Sequence, residues 1–207
     1  MLRGVGGMRR GLRPIVALAA FVMSADLSFA ADWLGPNQTL LLFGGVFRSG
    51  TFPGWTMIPF TGGVEHNYLV GGALDTDYFS YGGFHFGTEI GVAGRFGEGK
   101  SGSAELWGGP SVHYRGFIIG EVTISPGFVV GLSAVSNTIG EERIREAGNS
   151  GNATLLFYLG PELAFRFRSM PNVELVVRTH HRSGAERRLG YMAEGHNANI
   201  FGMRFHF

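Results

Sequence analysis

His181 and Ser183 are the pair in this sequence whose types and spacing fit nucleophilic chemistry. They lie in the run Arg178-Thr179-His180-His181-Arg182-Ser183-Gly184-Ala185. Residues two apart on a strand point to the same face, so an extended backbone brings the imidazole beside the hydroxyl. A histidine within hydrogen-bond reach of a serine can act as its general base. A third group must then hold the imidazole in one tautomer and stabilise its charged form. Glu194, in the stretch leading to the last strand, is the expected acid, and Glu186, three residues past the serine, is its rival. Backbone N–H groups of Gly184 and Ala185, or the side chain of Asn197, could hold an oxyanion.

The elements that position this pair are strands. In 84–96, Phe84, Phe86, Thr88, Ile90, Val92 and Phe96 share one parity, while His85, Gly87, Glu89, Gly91, Ala93 and Arg95 share the other. Strand alternation sends the two sets to opposite faces. The segment 154–167 repeats the pattern, with Leu155, Phe157, Leu159, Leu163, Phe165 and Phe167 against Tyr158, Gly160, Glu162, Ala164 and Arg166. It recurs in 173–183 and again at the end of the chain, where Phe201, Met203, Phe205 and Phe207 oppose Gly202, Arg204 and His206.

Eight strands are expected, at 39–47, 67–79, 84–96, 103–114, 117–130, 154–167, 173–183 and 198–207. A soluble sandwich also alternates, with its apolar side inward. Here the polar faces mix Glu89, Glu105, Glu162 and Glu174 with Arg95, Arg115, Arg166 and Arg178 among many glycines. Such a set fits the narrow, polar interior of a barrel of few strands. The fold class expected is therefore all-β, an eight-stranded antiparallel transmembrane β-barrel, the smallest outer-membrane size. If both termini face the periplasm, the long connections 48–66, 133–153 and 184–197 all lie outside. His181 and Ser183 then share the lipid-facing parity of Val173, Leu175 and Val177, at headgroup level. His180 and Arg182 point inward.

The stretch from Glu174 to Phe207 resembles the lipid A 3-O-deacylase family of the PagL type. The shared features are His181-Arg182-Ser183 on the penultimate strand and Glu194 about a dozen residues on. The resemblance implies an eight-stranded outer-membrane barrel and a serine esterase that removes the 3-hydroxyacyl chain at position 3 of lipid A. Carried over, Ser183 is the nucleophile, His181 the base and Glu194 the orienting acid, with no metal or cofactor. The implied partners are lipid A in lipopolysaccharide and other outer-membrane lipids; a homodimer stays open. Gly184 stands where the family usually has Asn, and the Ser-to-Glu spacing is slightly shorter. The alternative from another class is a non-catalytic barrel that binds lipopolysaccharide or surface partners through its outer loops.

Composition agrees. The 207 residues include no cysteine, so neither disulfides nor thiolate metal sites are available. The net charge of +1 and the absence of a basic aromatic face exclude nucleic acid as an expected partner. Glu65-His66 and His85 show no metal-ligand spacing, and Gly82-Gly83 lacks the strand–loop–helix setting of a phosphate cradle. The 35 glycines come with 44% hydrophobic residues, which argues against disorder. Residues 1–30 read as a secretory signal: Arg3, Arg9, Arg10 and Arg13, an apolar run from Pro14 to Met23, then Ser28-Phe29-Ala30. The barrel domain is then 31–207. Glu141, Glu142, Arg143, Arg145 and Glu146 are expected to form a solvated loop, with contact to lipid phosphates as the sharper option. Trp55, in Pro53-Gly54-Trp55, is either interfacial or part of an ordinary turn.

Overall fold

The computed structural model describes residues 35–50, 63–98 and 102–207. The expected signal segment and Pro53-Gly54-Trp55 lie outside the described residues. The strands are β1 (Gln38–Ser49), β2 (Gly63–Tyr81), β3 (Phe84–Gly97), β4 (Ser103–Tyr114), β5 (Phe117–Ile119), β6 (Val122–Val135), β7 (Leu155–Phe167), β8 (Val173–Ser183) and β9 (Asn197–His206). One helix, α1 (Gly140–Asn149), lies between β6 and β7.

All pairings are antiparallel, in the order β4-β3-β2-β1-β9-β8-β7-β6, and β4 pairs with β6 to close the ring. Eight strands make the barrel; β5 pairs only with β6 and stands apart from the ring. The expected fifth strand, 117–130, is thus two elements. Gly120 takes φ +61 and folds the chain back between them. The ladder strand then runs on to Val135, beyond the expected end.

Closure has a physical cause. In lipid, an unpaired backbone group costs several kcal/mol, and only a closed ring leaves no edge. The outer face matches: Ile90, Val92, Leu106, Leu132, Leu163 and Leu175 are exposed. The short connections, such as Gly82-Gly83 and 168–172, share one end; the longer ones, 136–154 and 184–196 among them, share the other. In outer-membrane barrels short turns face the periplasm and long loops face out. Aromatic residues gather at the short-turn end, where Phe84, Tyr114 and Phe117 pack in sequence as tilted rings with centroids 5.1 and 5.0 Å apart. Such a girdle marks the membrane interface.

The lumen is filled by charge. Arg178 donates to both carboxylate oxygens of Glu89 at 2.6 Å and to Glu162 at 2.6 and 2.8 Å. Arg204 approaches Glu162 at 2.6 Å, and Trp107 Nε1 donates to Glu89 at 2.9 Å. Gly91 makes room for that indole, since a Cβ there would stand 2.1 Å from the ring. These partners come from β3, β4, β7, β8 and β9, so the network crosses the barrel.

Helix α1 corrects the expectation of a solvated charged loop. Glu142 is fully buried, bonded to Arg95 at 2.7 Å and to Arg182. The physical reason is charge balance. Arg95 and Arg182 rise from the inward faces of β3 and β8, and one carboxylate inside the barrel, Glu105, lies within 3.6 Å of both. A second acid delivered from the loop completes the set.

Candidate active site on the outer rim

Strand β8 carries the candidate pair because its inward residues are locked. His180 Nε2 meets Glu105 at 2.8 Å, and Arg182 donates through Nε to Ser133 Oγ at 2.9 Å. With alternate side chains fixed inside, the intervening ones must face out. His181 and Ser183 share a face with Val177 and Leu175, opposite Leu159 and Phe157 of β7 in the ladder. That is the lipid side, at the outer end of the strand. His181 is 2% exposed, while Ser183 is half-buried.

The ladder also sets His181 opposite Asn197 of β9. His181 Nδ1 lies 2.5 Å from Asn197 Oδ1, and Asn197 Nδ2 donates to the Gly50 carbonyl at 2.9 Å. A carbonyl can only accept, so the amide nitrogen must face Gly50 and the amide oxygen must face the ring. His181 therefore carries its hydrogen on Nδ1, which makes Nε2 the acceptor nitrogen of the ring, the state a general base requires.

Ser183 Oγ donates to the Ala193 carbonyl at 3.1 Å and accepts the Ala185 N–H at 3.0 Å. Among the described residues, these are the hydrogen bonds of the Ser183 hydroxyl. The Ala185 N–H is thus already aimed at the hydroxyl. Gly184 sits where no side chain fits: a Cβ would lie 1.9 Å from the Met192 carbonyl oxygen. The next three residues, Ala185, Glu186 and Arg187, have φ of 49°, 55° and 72°. Each left-handed L-residue costs roughly 1–2 kcal/mol, and such strain concentrates at functional sites. Glu186 is exposed. Glu194 is half-buried in the segment before β9, and the group at His181 Nδ1 is Asn197. Both ends of the Asn197 amide are engaged by His181 and Gly50, an arrangement suited to orienting rather than to binding an oxyanion.

Arg145 of α1 ties the surroundings together. It donates to the Gly195 carbonyl at 2.7 Å and the Gly50 carbonyl at 3.0 Å, so one side chain holds the chain segments on either side of Asn197. Behind it, His196 Nδ1 stands 3.0 Å from Arg95 Nη2 and Nε2 stands 2.9 Å from Glu65. Arginine only donates, so Nε2 holds the hydrogen shared with Glu65. Burial drives His196 below its ordinary value, partly offset by Glu65, and the ring is neutral. Neither Arg145 nor the role of Asn197 as partner of the ring is legible from spacing. Asn197 does share the outward parity of Phe201 and Phe205, a signal readable once the register is known.

No protein-family model and no curated protein matches the sequence. Solved structures do. The outer membrane enzyme PagL superposes with a TM-score of 0.51 at 16% identity, over 82% of this chain and 99% of that one. Neisserial surface protein A gives 0.52 at 12% identity, over 82% and 96%. The chain has an outer-membrane barrel fold. At these identities the likeness speaks to fold alone, and it spans an enzyme and a surface protein alike.

Proposed function

We propose that this outer-membrane barrel is a lipid A 3-O-deacylase, a serine esterase working on the outer leaflet. The observation that carries the reading is the outward pair His181–Ser183, with the ring tautomer set by Asn197. An ester in the leaflet reaches Ser183 from the side, and its acyl chain can lie along Phe157, Leu159 and Val177.

In the first half-reaction Ser183 Oγ leaves the Ala193 carbonyl and turns to His181 Nε2, which takes its proton as Oγ attacks the ester carbonyl carbon. The Ala185 N–H, and that of Gly184, donate to the oxyanion. Collapse breaks the bond to the sugar oxygen, which receives the proton from His181. A water then attacks the acyl-serine, again with His181 as base, and releases the 3-hydroxy fatty acid. The resemblance assigns the orienting role to Glu194; the hydrogen bond to His181 favours Asn197.

A second reading, a non-catalytic barrel that binds lipopolysaccharide through its loops, is favoured by the Ser183–Ala193 hydrogen bond, which turns the hydroxyl away from the base. Mass spectrometry of lipid A separates the two. Incubation with detergent-purified protein should remove one 3-hydroxyacyl chain, and Ser183→Ala should abolish the loss. Unchanged lipid A with a folded barrel would leave the binding role.

A further inference from the structure

The periplasmic mouth holds a second constellation, far from Ser183. A cavity of about 440 Å³ opens there, lined among others by Asp75, Asp77, His113, Glu174, Arg204 and His206. Asp75 and Asp77 point inward from β2, two residues apart, and His113 does so from β4. One donor atom from each lies within 4.8 Å of the other two.

The charges at this level are unevenly matched. Arg204 is bound by Glu162 at 2.6 Å and lies 3.5 Å from Glu174, while Arg166 and His206 also face Glu174, at 3.6 and 3.3 Å. Among the described residues no salt bridge reaches Asp75. It is 5% exposed, and its Oδ2 has no hydrogen-bond partner. A buried carboxylate without a salt bridge is costly. Among the described residues, the salt-bridge partner of Asp77 is His85, at 3.5 Å.

We infer that Asp75, Asp77 and His113 form a binding site for a divalent transition-metal ion, zinc being the best fit. Two carboxylates and one imidazole match the mixed oxygen and nitrogen set zinc accepts, with a position left for water. An all-oxygen set would suit magnesium or calcium instead. Donors around a tetrahedral zinc at about 2.0–2.2 Å stand roughly 3.4 Å apart, so side-chain rotation of about an ångström closes the cluster. Two outer contacts would orient the ligands, as is usual at metal sites. Glu162 lies 3.3 Å from His113 Nε2, and His85, itself bonded to Ser80 at 3.0 Å, lies beside Asp77. Gly127 permits the arrangement, because a Cβ there would come 2.3 Å from the His113 ring. The ligands come from β2 and β4, which flank β3 and bring them together over it, so linear spacing does not announce them.

The test uses the full barrel, folded in detergent and stripped with chelator, titrated with zinc chloride by calorimetry. One zinc per chain is expected, with affinity lowered at least about tenfold in Asp75→Asn and in His113→Ala. Absorption spectroscopy at the zinc edge of the parent protein needs no variant. A first shell of oxygens with a single imidazole at about 2.0–2.1 Å supports the site. No binding by the folded parent, binding unchanged in both variants, or a shell of several imidazoles would overturn it. Deacylase activity does not enter the readout, so this result and the Ser183 test stand or fall separately.

Discussion

At the scale of single residues, the amide of Asn197 decides which nitrogen of His181 is the base. Asn197→Ala removes the group that fixes the tautomer, so the base spends part of its time with the hydrogen on the wrong nitrogen. General-base catalysis is worth about 10²–10⁴-fold, and a loss of about 10² in kcat is expected, with KM little changed. Glu194→Gln should stay within a few-fold of the parent if Asn197 is the orienting group; the reverse ranking in a lipid A hydrolysis assay would restore the acid to that role. His196 provides a separate residue-scale effect. Its folded value lies below the ordinary 6.5, so the unfolded chain protonates first as pH falls. The stability tied to its neutral state is fully present above that value and declines as pH drops through it. Unfolding midpoints in detergent should therefore fall on acidification from about pH 7.5 to 5.5, and His196→Gln should lessen the slope. The sequence made His181 and Ser183 legible because parity needs only a count of two. Asn197 as a partner of His181 was not legible that way, since it depends on where β9 falls against β8 after a thirteen-residue excursion, 184–196, whose length does not fix the register.

At the scale of elements, helix α1 is a lid on the charge of the lumen rather than a solvated loop. Glu142→Ala would leave Arg95 and Arg182 buried with one carboxylate fewer. Breaking a buried pair from one side costs about 3–5 kcal/mol, which a urea unfolding series in detergent would read as a lower midpoint with a similar slope. The turn after Ser183 is strained instead of charged. Glu186 is exposed at φ 55°, and Glu186→Gly should stabilise the protein by about 1 kcal/mol by relieving a left-handed residue. If the strain holds the Ala185 N–H toward Ser183, the same variant should lose activity while it gains stability. Most strands were visible as alternation in single segments, such as Phe84 to Phe96. The split of the fifth was not, because Gly120 and Glu121 interrupt a pattern that resumes on the far side. The helix was hidden for another reason: its buried side chain is a glutamate, whose place inside comes from arginines distant in sequence.

At the scale of the whole molecule, the closed ladder and its apolar exterior rest on residues read locally, while the interior rests on partners that only closure brings together. Arg178 and Glu89 are 89 positions apart and share two hydrogen bonds. Mixed signs on the inward faces predicted a polar lumen; who pairs with whom was set by the curvature of the ring, which no segment reveals by itself. That crossing network has an electrical consequence. Ions entering from the periplasmic mouth meet a layer in which Arg178, Glu89 and Glu162 are closed on one another and the Trp107 ring packs alongside. In a planar lipid bilayer under applied voltage, the reconstituted protein should insert without producing discrete current steps. If no steps appear, this barrel works at its wall and its rims, as an insulator and not as a conduit.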